Sequence, residues 1–148
     1  NNARPWVAWK KKHQDHSLRI KTMTYDSDNI FAKILRGEIP AERIYENDVA
    51  LAFPDINPQA NVHVLIIPKG GYLSHDDFSQ NATAAEKTGF TEAIGEVARI
   101  TGVAQSVGGT GYRLSTNSGE AADQEVPHYH VHLLGGNRIG RMVTPPKS

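Results

Sequence analysis

The chain has 148 residues, 16 Lys and Arg against 16 Asp and Glu, and no cysteine, a length that suits one domain burying roughly 68–70% of its unfolded surface. The missing cysteines exclude a disulfide framework and thiolate metal ligands and fit a reducing compartment, so a cytoplasmic location is expected. No apolar run approaches the roughly 20 residues of a membrane-spanning helix, and no short apolar signal core follows a basic start, so no membrane partner is expected.

The zero net charge is unevenly distributed. Residues 1–21 carry Arg4, Lys10, Lys11, Lys12, Arg19 and Lys21 against Asp15, a balance of +5, which leaves −5 for the remainder. A duplex-binding surface needs clustered basic groups within the folded body, so no stable nucleic-acid partner is expected. Residues 1–22, with Trp6 and Trp9 beside the lysine run, show neither helical nor strand periodicity. They read as an N-terminal extension, a solvated tail or a leader upstream of Met23, ahead of a single domain over 23–148.

From Ser27 the pattern sharpens. Ser27 or Asp28 can cap a short helix whose Ile30, Phe31, Ile34 and Leu35 fall at helical spacing and which Gly37 and Pro40 end. Residues 43–46 and 49–54 read as a hairpin turning at Asn47-Asp48, and 62–67 as a β-branched strand stopped by Pro68-Lys69-Gly70-Gly71. Residues 72–81 are polar and loop-like. Thr83 and Glu86 form a capping box for a long amphipathic helix ending at Gly102. Gly89 and Gly95 inside it cost about 1 kcal/mol each relative to Ala, which predicts close packing against a sheet. Residues 112–116 read as a further strand, and the loop Asn117-Ser118-Gly119-Glu120 leads toward a last one. Strands joined by short turns with one long interruption predict an α+β fold: a mainly antiparallel sheet of about five strands, one long helix and one short N-terminal helix.

The last strand carries the chemistry. In Pro127-His128-Tyr129-His130-Val131-His132-Leu133-Leu134, three histidines occupy every second position, so they share one face while Tyr129, Val131 and Leu133 share the other. Three imidazoles on one face of an interior strand need partners. Two chemistries fit: His63 with the three could ligate a metal ion, or one neutral imidazole could act as a nucleophile while its neighbours stabilise charge and move protons. Crowding also depresses imidazole pKa values, which keeps a nucleophile neutral near pH 7. The Asn117-Ser118-Gly119 loop offers an amide, a hydroxyl and backbone N–H groups of the kind an anionic oxygen requires.

At this point the chain resembles the histidine triad (HIT) family. The hallmark stands as His128-Tyr129-His130-Val131-His132-Leu133-Leu134, and the likeness runs collinearly over residues 28–136, through 30–41, Ala52-Phe53-Pro54-Asp55-Ile56-Asn57-Pro58-Gln59-Ala60, 62–69 and Gly135-Gly136. The resemblance implies a HIT-like fold, a hydrolase of purine nucleoside phosphoramidates or related nucleotides, no metal or other cofactor, and a homodimer whose sheets join across a two-fold axis. By motif position His130 would attack the α-phosphorus, His128 would orient it, His132 would stabilise the phosphoryl oxygens and departing group, and His63 would complete the cluster. Asp55 would accept the ribose hydroxyls. Ile30, Phe31, Ile34, Phe53, Ile56 and Leu65 would wall the base pocket, and Asn117 and Gln124 would contact phosphate or leaving group.

Two departures stand beside the triad. Glu125 occupies a position where relatives are expected to carry a serine at the leaving group, and Pro127 one where they carry tyrosine. A carboxylate repels phosphate, so Glu125 is expected to alter leaving-group preference. Against the hydrolase stand two alternatives: a nucleotide-binding scaffold with little catalysis, and a histidine-ligated metal-binding protein.

Overall fold

In the computed structural model, residues 24–143 and Pro146 are described, and the extension expected over 1–22 lies outside them. The architecture is α+β, a five-stranded, wholly antiparallel sheet with helices, as the patterning predicts. Helix α1 (Ile30–Leu35) comes first, then strands β1 (Tyr45–Glu46), β2 (Ala50–Pro54) and β3 (Val62–Pro68). Helices α2 (His75–Asn81) and α3 (Ala84–Ile100) follow, and β4 (Tyr112–Ser115) and β5 (Val131–Gly135) complete the sheet. The strand order β1-β2-β3-β5-β4 places the last strand between β3 and β4.

Strand alternation divides the apolar residues into two cores. Ala50, Ala52, Val64, Ile66, Val131 and Leu133 face α3 and join Phe78, Phe90, Ala93, Val97 and Tyr129 in the larger cluster. The intervening Leu51, Phe53, Leu65 and Ile67 face the other way and join Phe31 and Ile34 of α1. The second face, floored by β3 and β5, is the one that carries the imidazoles.

Several boundaries differ from the sequence reading for local reasons. Helix α1 is capped by Asn29, not Ser27 or Asp28: the Asn29 side chain accepts the Ala32 N–H at 2.9 Å. The turn after β1 is organised by Asn47, whose Oδ1 accepts the N–H groups of Val49 and Ala50, both at 2.9 Å. Residues 75–81, read as loop, form a helix because Ser74 caps it, Asp76 and Asp77 favour its positive N-terminal end, and Asp77 also accepts the Leu73 N–H at 2.7 Å. Phe78 is its one buried side chain, too weak a periodic signal to read. The capping box of α3 is present as expected.

The glycines of α3 separate. A Cβ on Gly89 would run into Val49 Cγ2, and the Gly89 carbonyl accepts the Asn47 amide at 2.9 Å, so this turn of helix lies directly on the hairpin. At Gly95 the nearest atoms to a Cβ belong to the flexible Arg99 guanidinium, at 3.3 Å, rather than to the sheet. Gly89→Ala should therefore destabilise by about 1–3 kcal/mol through overpacking, whereas Gly95→Ala should stabilise by about 0.5–1 kcal/mol through helix propensity. Urea denaturation of both variants checks the pair; equal effects would contradict it.

Candidate active site

The expected histidine strand begins later than its pattern suggests. Pairing starts at Val131, and His128 to His130 form an extended approach in which the Tyr129 N–H donates to the Tyr72 carbonyl at 2.7 Å rather than to a strand neighbour. Alternation persists through the approach: Tyr129 is in the α3 core, and the His128 and His130 rings meet the Phe31 ring edge-on at 6.2 and 5.0 Å between centroids.

Each imidazole has an assignable tautomer. His128 is fully buried, and its Nε2 lies 2.8 Å from the Pro68 carbonyl, which can only accept, so Nε2 carries the proton. Its Nδ1 then accepts from the Tyr25 hydroxyl at 2.6 Å. His130 Nδ1 lies 2.7 Å from the His128 carbonyl, so the proton sits on Nδ1 and the Nε2 lone pair is left free. On β3, His63 Nδ1 accepts the Gln59 N–H at 3.0 Å, which places its proton on Nε2. That proton points to His132 Nδ1 at 2.9 Å, with Asp55 Oδ2 at 3.5 Å. His132, opposite Leu65 in the β3–β5 register, consequently carries its proton on Nε2.

Burial disfavours the charged form of the three rings His128, His130 and His132. Desolvation pushes His128 down to about 4, its bond to Pro68 opposing and the charge of His130 adding. His132 is also lowered to about 4, by desolvation first and then by repulsion from His130 and His63. His130 is lowered, again by desolvation, against the His128 carbonyl and the carboxylates of Asp55 and Glu125.

Asp55, His63, His130 and His132 thus form one connected group. Asp55 also closes its own turn through Asn57 N–H to Oδ1 at 2.8 Å, leaving Oδ2 toward the imidazoles. Phe31, Ile34, Phe53 and Leu65 are buried beside them, whereas Ile30 is 43% and Ile56 96% exposed. Asn117 is exposed, and Thr116 before it donates its hydroxyl to the His130 carbonyl at 2.7 Å. Gln124 holds the loop closed: its amide nitrogen donates to the Leu73 and Val126 carbonyls at 2.7 and 3.0 Å, and its oxygen accepts the Gly119 N–H at 2.8 Å. The Gly119 donor, which the sequence offered to an anion, is therefore already used. Glu125 is exposed, and its charge reaches His130. Tyr25, Asn29, Gln59 and Pro68 were missed as site residues. Two of these act through backbone atoms that no residue-type signal marks.

Asp55, His63 and His132 bring one potential ligand atom each within 4.8 Å of one another. The backbone donor behind His63 opposes an ion there. A metal on His63 Nε2 would move the ring proton to Nδ1, directly against the Gln59 N–H that now donates to it.

An antiparallel α+β sheet with neutral, tautomer-fixed imidazoles on one face defines a histidine-centred site. A family model described as the HIT domain matches residues 36–139. The chain is 55% identical over 121 residues to an uncharacterised 13.2 kDa HIT-like protein of Azospirillum brasilense, covering 82% of this chain and 96% of that one. It is 40% identical over 116 residues to the purine nucleoside phosphoramidase of Escherichia coli K12, covering 78% and 93% respectively. Among solved structures, a HIT family hydrolase from Clostridium thermocellum superposes with a TM-score of 0.71 at 39% identity, covering 80% of this chain and 99% of that one. The chain belongs to the HIT-domain family.

The depressed imidazoles make a stability prediction. Below the ordinary value of 6.5 the unfolded chain takes up protons that buried His128 and His132 refuse until about pH 4, so unfolding becomes easier as pH falls through that window. The lowered carboxylates Glu46 and Glu86 add their loss only below the ordinary glutamate value of 4.5. Urea unfolding at intervals from pH 7 to about 4.5 should show stability falling by roughly 2–5 kcal/mol; a flat profile would contradict neutral burial.

Proposed function

We propose that the protein is a metal-independent hydrolase of purine nucleoside phosphoramidates or related nucleotides, working through a nucleotidyl-histidine at His130. The observation that carries this reading is the His130 Nδ1–H bond to the His128 carbonyl at 2.7 Å, which holds a neutral ring with its Nε2 lone pair available. A buried imidazole in that state is a nucleophile without prior deprotonation. Membership of the HIT family and the likeness to a purine nucleoside phosphoramidase support the substrate class.

The chemistry divides into two displacements. The phosphoramidate nitrogen first takes a proton from solvent; Nε2 of His130 then attacks the α-phosphorus, a phosphorus–nitrogen bond forms to the ring, and the bond to the protonated nitrogen breaks, releasing a neutral amine. Water then attacks phosphorus and gives one proton back to solvent, the bond from phosphorus to Nε2 breaks, and the nucleoside monophosphate leaves with the Nε2 lone pair restored. His132, its Nδ1 accepting from His63, directs Nε2–H as a donor to the phosphoryl oxygens, where charge builds. Asp55 Oδ2 is the acceptor for the ribose hydroxyls, and Phe31, Ile34, Phe53 and Leu65 supply the apolar wall for the base. The Glu125 carboxylate, whose charge reaches His130, favours a leaving group that departs as a neutral amine over one that departs as an anion.

A homodimer fits the uncovered edge of the sheet. Helix α3 contacts β1, β2 and β3, while Tyr112 and Leu114 on edge strand β4 are 38% and 44% exposed. A second copy pairing along β4 would cover both. No described helix is long and apolar enough to cross a membrane.

Incubation with adenosine 5′-phosphoramidate in excess chelator tests the activity. Turnover should survive chelation and fall by a factor on the order of 10³ or more in His130→Ala. The acid limb of kcat/KM should lie below pH 6.5, the ordinary histidine value, because burial lowers His130. Turnover no greater than that of His130→Ala, with tight AMP binding, would instead favour the scaffold reading.

A further inference from the structure

The buried His128 ring is held from a direction that neither the triad motif nor the span of the family model contains. The Tyr25 hydroxyl approaches its Nδ1 at 2.6 Å, and the Asn29 amide nitrogen approaches the Tyr25 oxygen at 3.0 Å. Both residues precede the match to the family model, which begins at residue 36, though Asn29 lies within the collinear likeness over 28–136. The Pro68 carbonyl can only accept, so it fixes the proton on His128 Nε2 and makes Nδ1 an acceptor. The Tyr25 hydroxyl must then donate, and its oxygen is left to accept the Asn29 N–H. The four groups form a chain of one polarity, Asn29 to Tyr25 to His128 to the Pro68 carbonyl.

The segment after β3 is shaped to admit this chain. A Cβ on Gly71 would fall 2.8 Å from Tyr25 Cδ1 and Cε1, inside any real contact, so the tyrosine ring occupies room that only glycine leaves. The stretch Pro68-Lys69-Gly70-Gly71 therefore supplies both the acceptor for Nε2 and the seat for the donor to Nδ1. Asn29 is 8% exposed, and its oxygen caps α1 through the Ala32 N–H, so one side chain ties helix placement to the tyrosine.

We propose that Tyr25 and Asn29 are positioning residues for the reaction at His130. They touch no substrate. They hold the His128 ring in its Nε2–H tautomer, and the ring's two anchors fix the residue whose main-chain carbonyl accepts His130 Nδ1–H at 2.7 Å. Loosening His128 lets that carbonyl turn and the His130 proton move to Nε2, where it blocks attack. The catalytic consequence rests on the hydrolase reading; the tautomer chain does not.

Tyr25→Phe removes one hydroxyl and keeps the ring in its seat. Asn29→Asp keeps an oxygen to cap α1 but replaces the donor facing Tyr25 with an acceptor, which draws the tyrosine proton away from His128. With adenosine 5′-phosphoramidate, both variants should lower kcat roughly tenfold or more while KM stays within about twofold, the pattern of a nucleophile no longer held in one tautomer. In parallel, nitrogen-15 NMR of the imidazoles should show His128 as the Nε2–H tautomer in the parent protein and as a mixture in both variants. Unchanged kcat in Tyr25→Phe, or lowered kcat with the His128 tautomer intact, would overturn the proposal. A parent protein with no turnover would overturn the hydrolase reading alone, and an unaltered His128 spectrum in both variants would still overturn the positioning role.

Discussion

The bond from His130 Nδ1 to the carbonyl two residues earlier is the constraint on which the site depends. It is local in sequence, yet it works only if the His128 peptide is held still, and that peptide lies outside the hydrogen-bonded part of β5. The hold comes from elsewhere: the Tyr72 carbonyl on the Tyr129 N–H, the Pro68 carbonyl on the His128 ring, and the Thr116 hydroxyl on the His130 carbonyl. Two segments, the exit of β3 over 68–72 and the residue after β4, thus converge on a stretch of three residues. Tyr72 is itself anchored by Glu86, which accepts its hydroxyl at 2.8 and 2.9 Å and completes the capping box of α3. The long helix and the site share a fastening.

Burying imidazoles is costly only if their nitrogens go unpaired. Among the described residues no buried side-chain nitrogen or oxygen lacks a partner. The pairings also choose the protonation state. Each of His63, His128 and His132 has one nitrogen facing a group that fixes its role, and at His128 a second proton would require Tyr25 to reverse its polarity. At His128 and His130 desolvation outweighs the backbone carbonyls that each ring faces, and both rings are held below the ordinary histidine value.

Much of this was legible in the sequence because it depends on period-2 alternation. The apolar set of Tyr129, Val131 and Leu133 and the imidazole set of His128, His130 and His132 separate onto two faces as the pattern requires, although pairing covers only the later half. The capping box at Thr83 and the turn at Asn47 were legible for a similar reason, each being a short-range side-chain to backbone contact. Helix α2 was not, because a cap and two carboxylates stabilise it with little apolar periodicity. Gly89 and Gly95 look alike in sequence, and only the position of Val49, 40 residues before the first, distinguishes them. Tyr25 lies 103 residues from the ring it bonds, and backbone acceptors such as Pro68 O carry no residue-type signal at all.

The same geometry also separates the two chemistries that three alternate histidines leave open. Asp55, His63 and His132 are close enough to suggest a cation site, and distance alone would favour it. Proton direction points the other way. The Gln59 N–H fixes His63 as a donor through Nε2, His63 makes His132 an acceptor at Nδ1, and His132 is left to present Nε2–H outward. A ligand set for a metal needs lone pairs converging on one point; here His63 directs a proton into that space, toward His132 with Asp55 beside it. What remains after every proton is assigned is one free lone pair, on His130 Nε2, and a donor on His132 next to it. That is the requirement for attack on an electrophile whose oxygens gain negative charge.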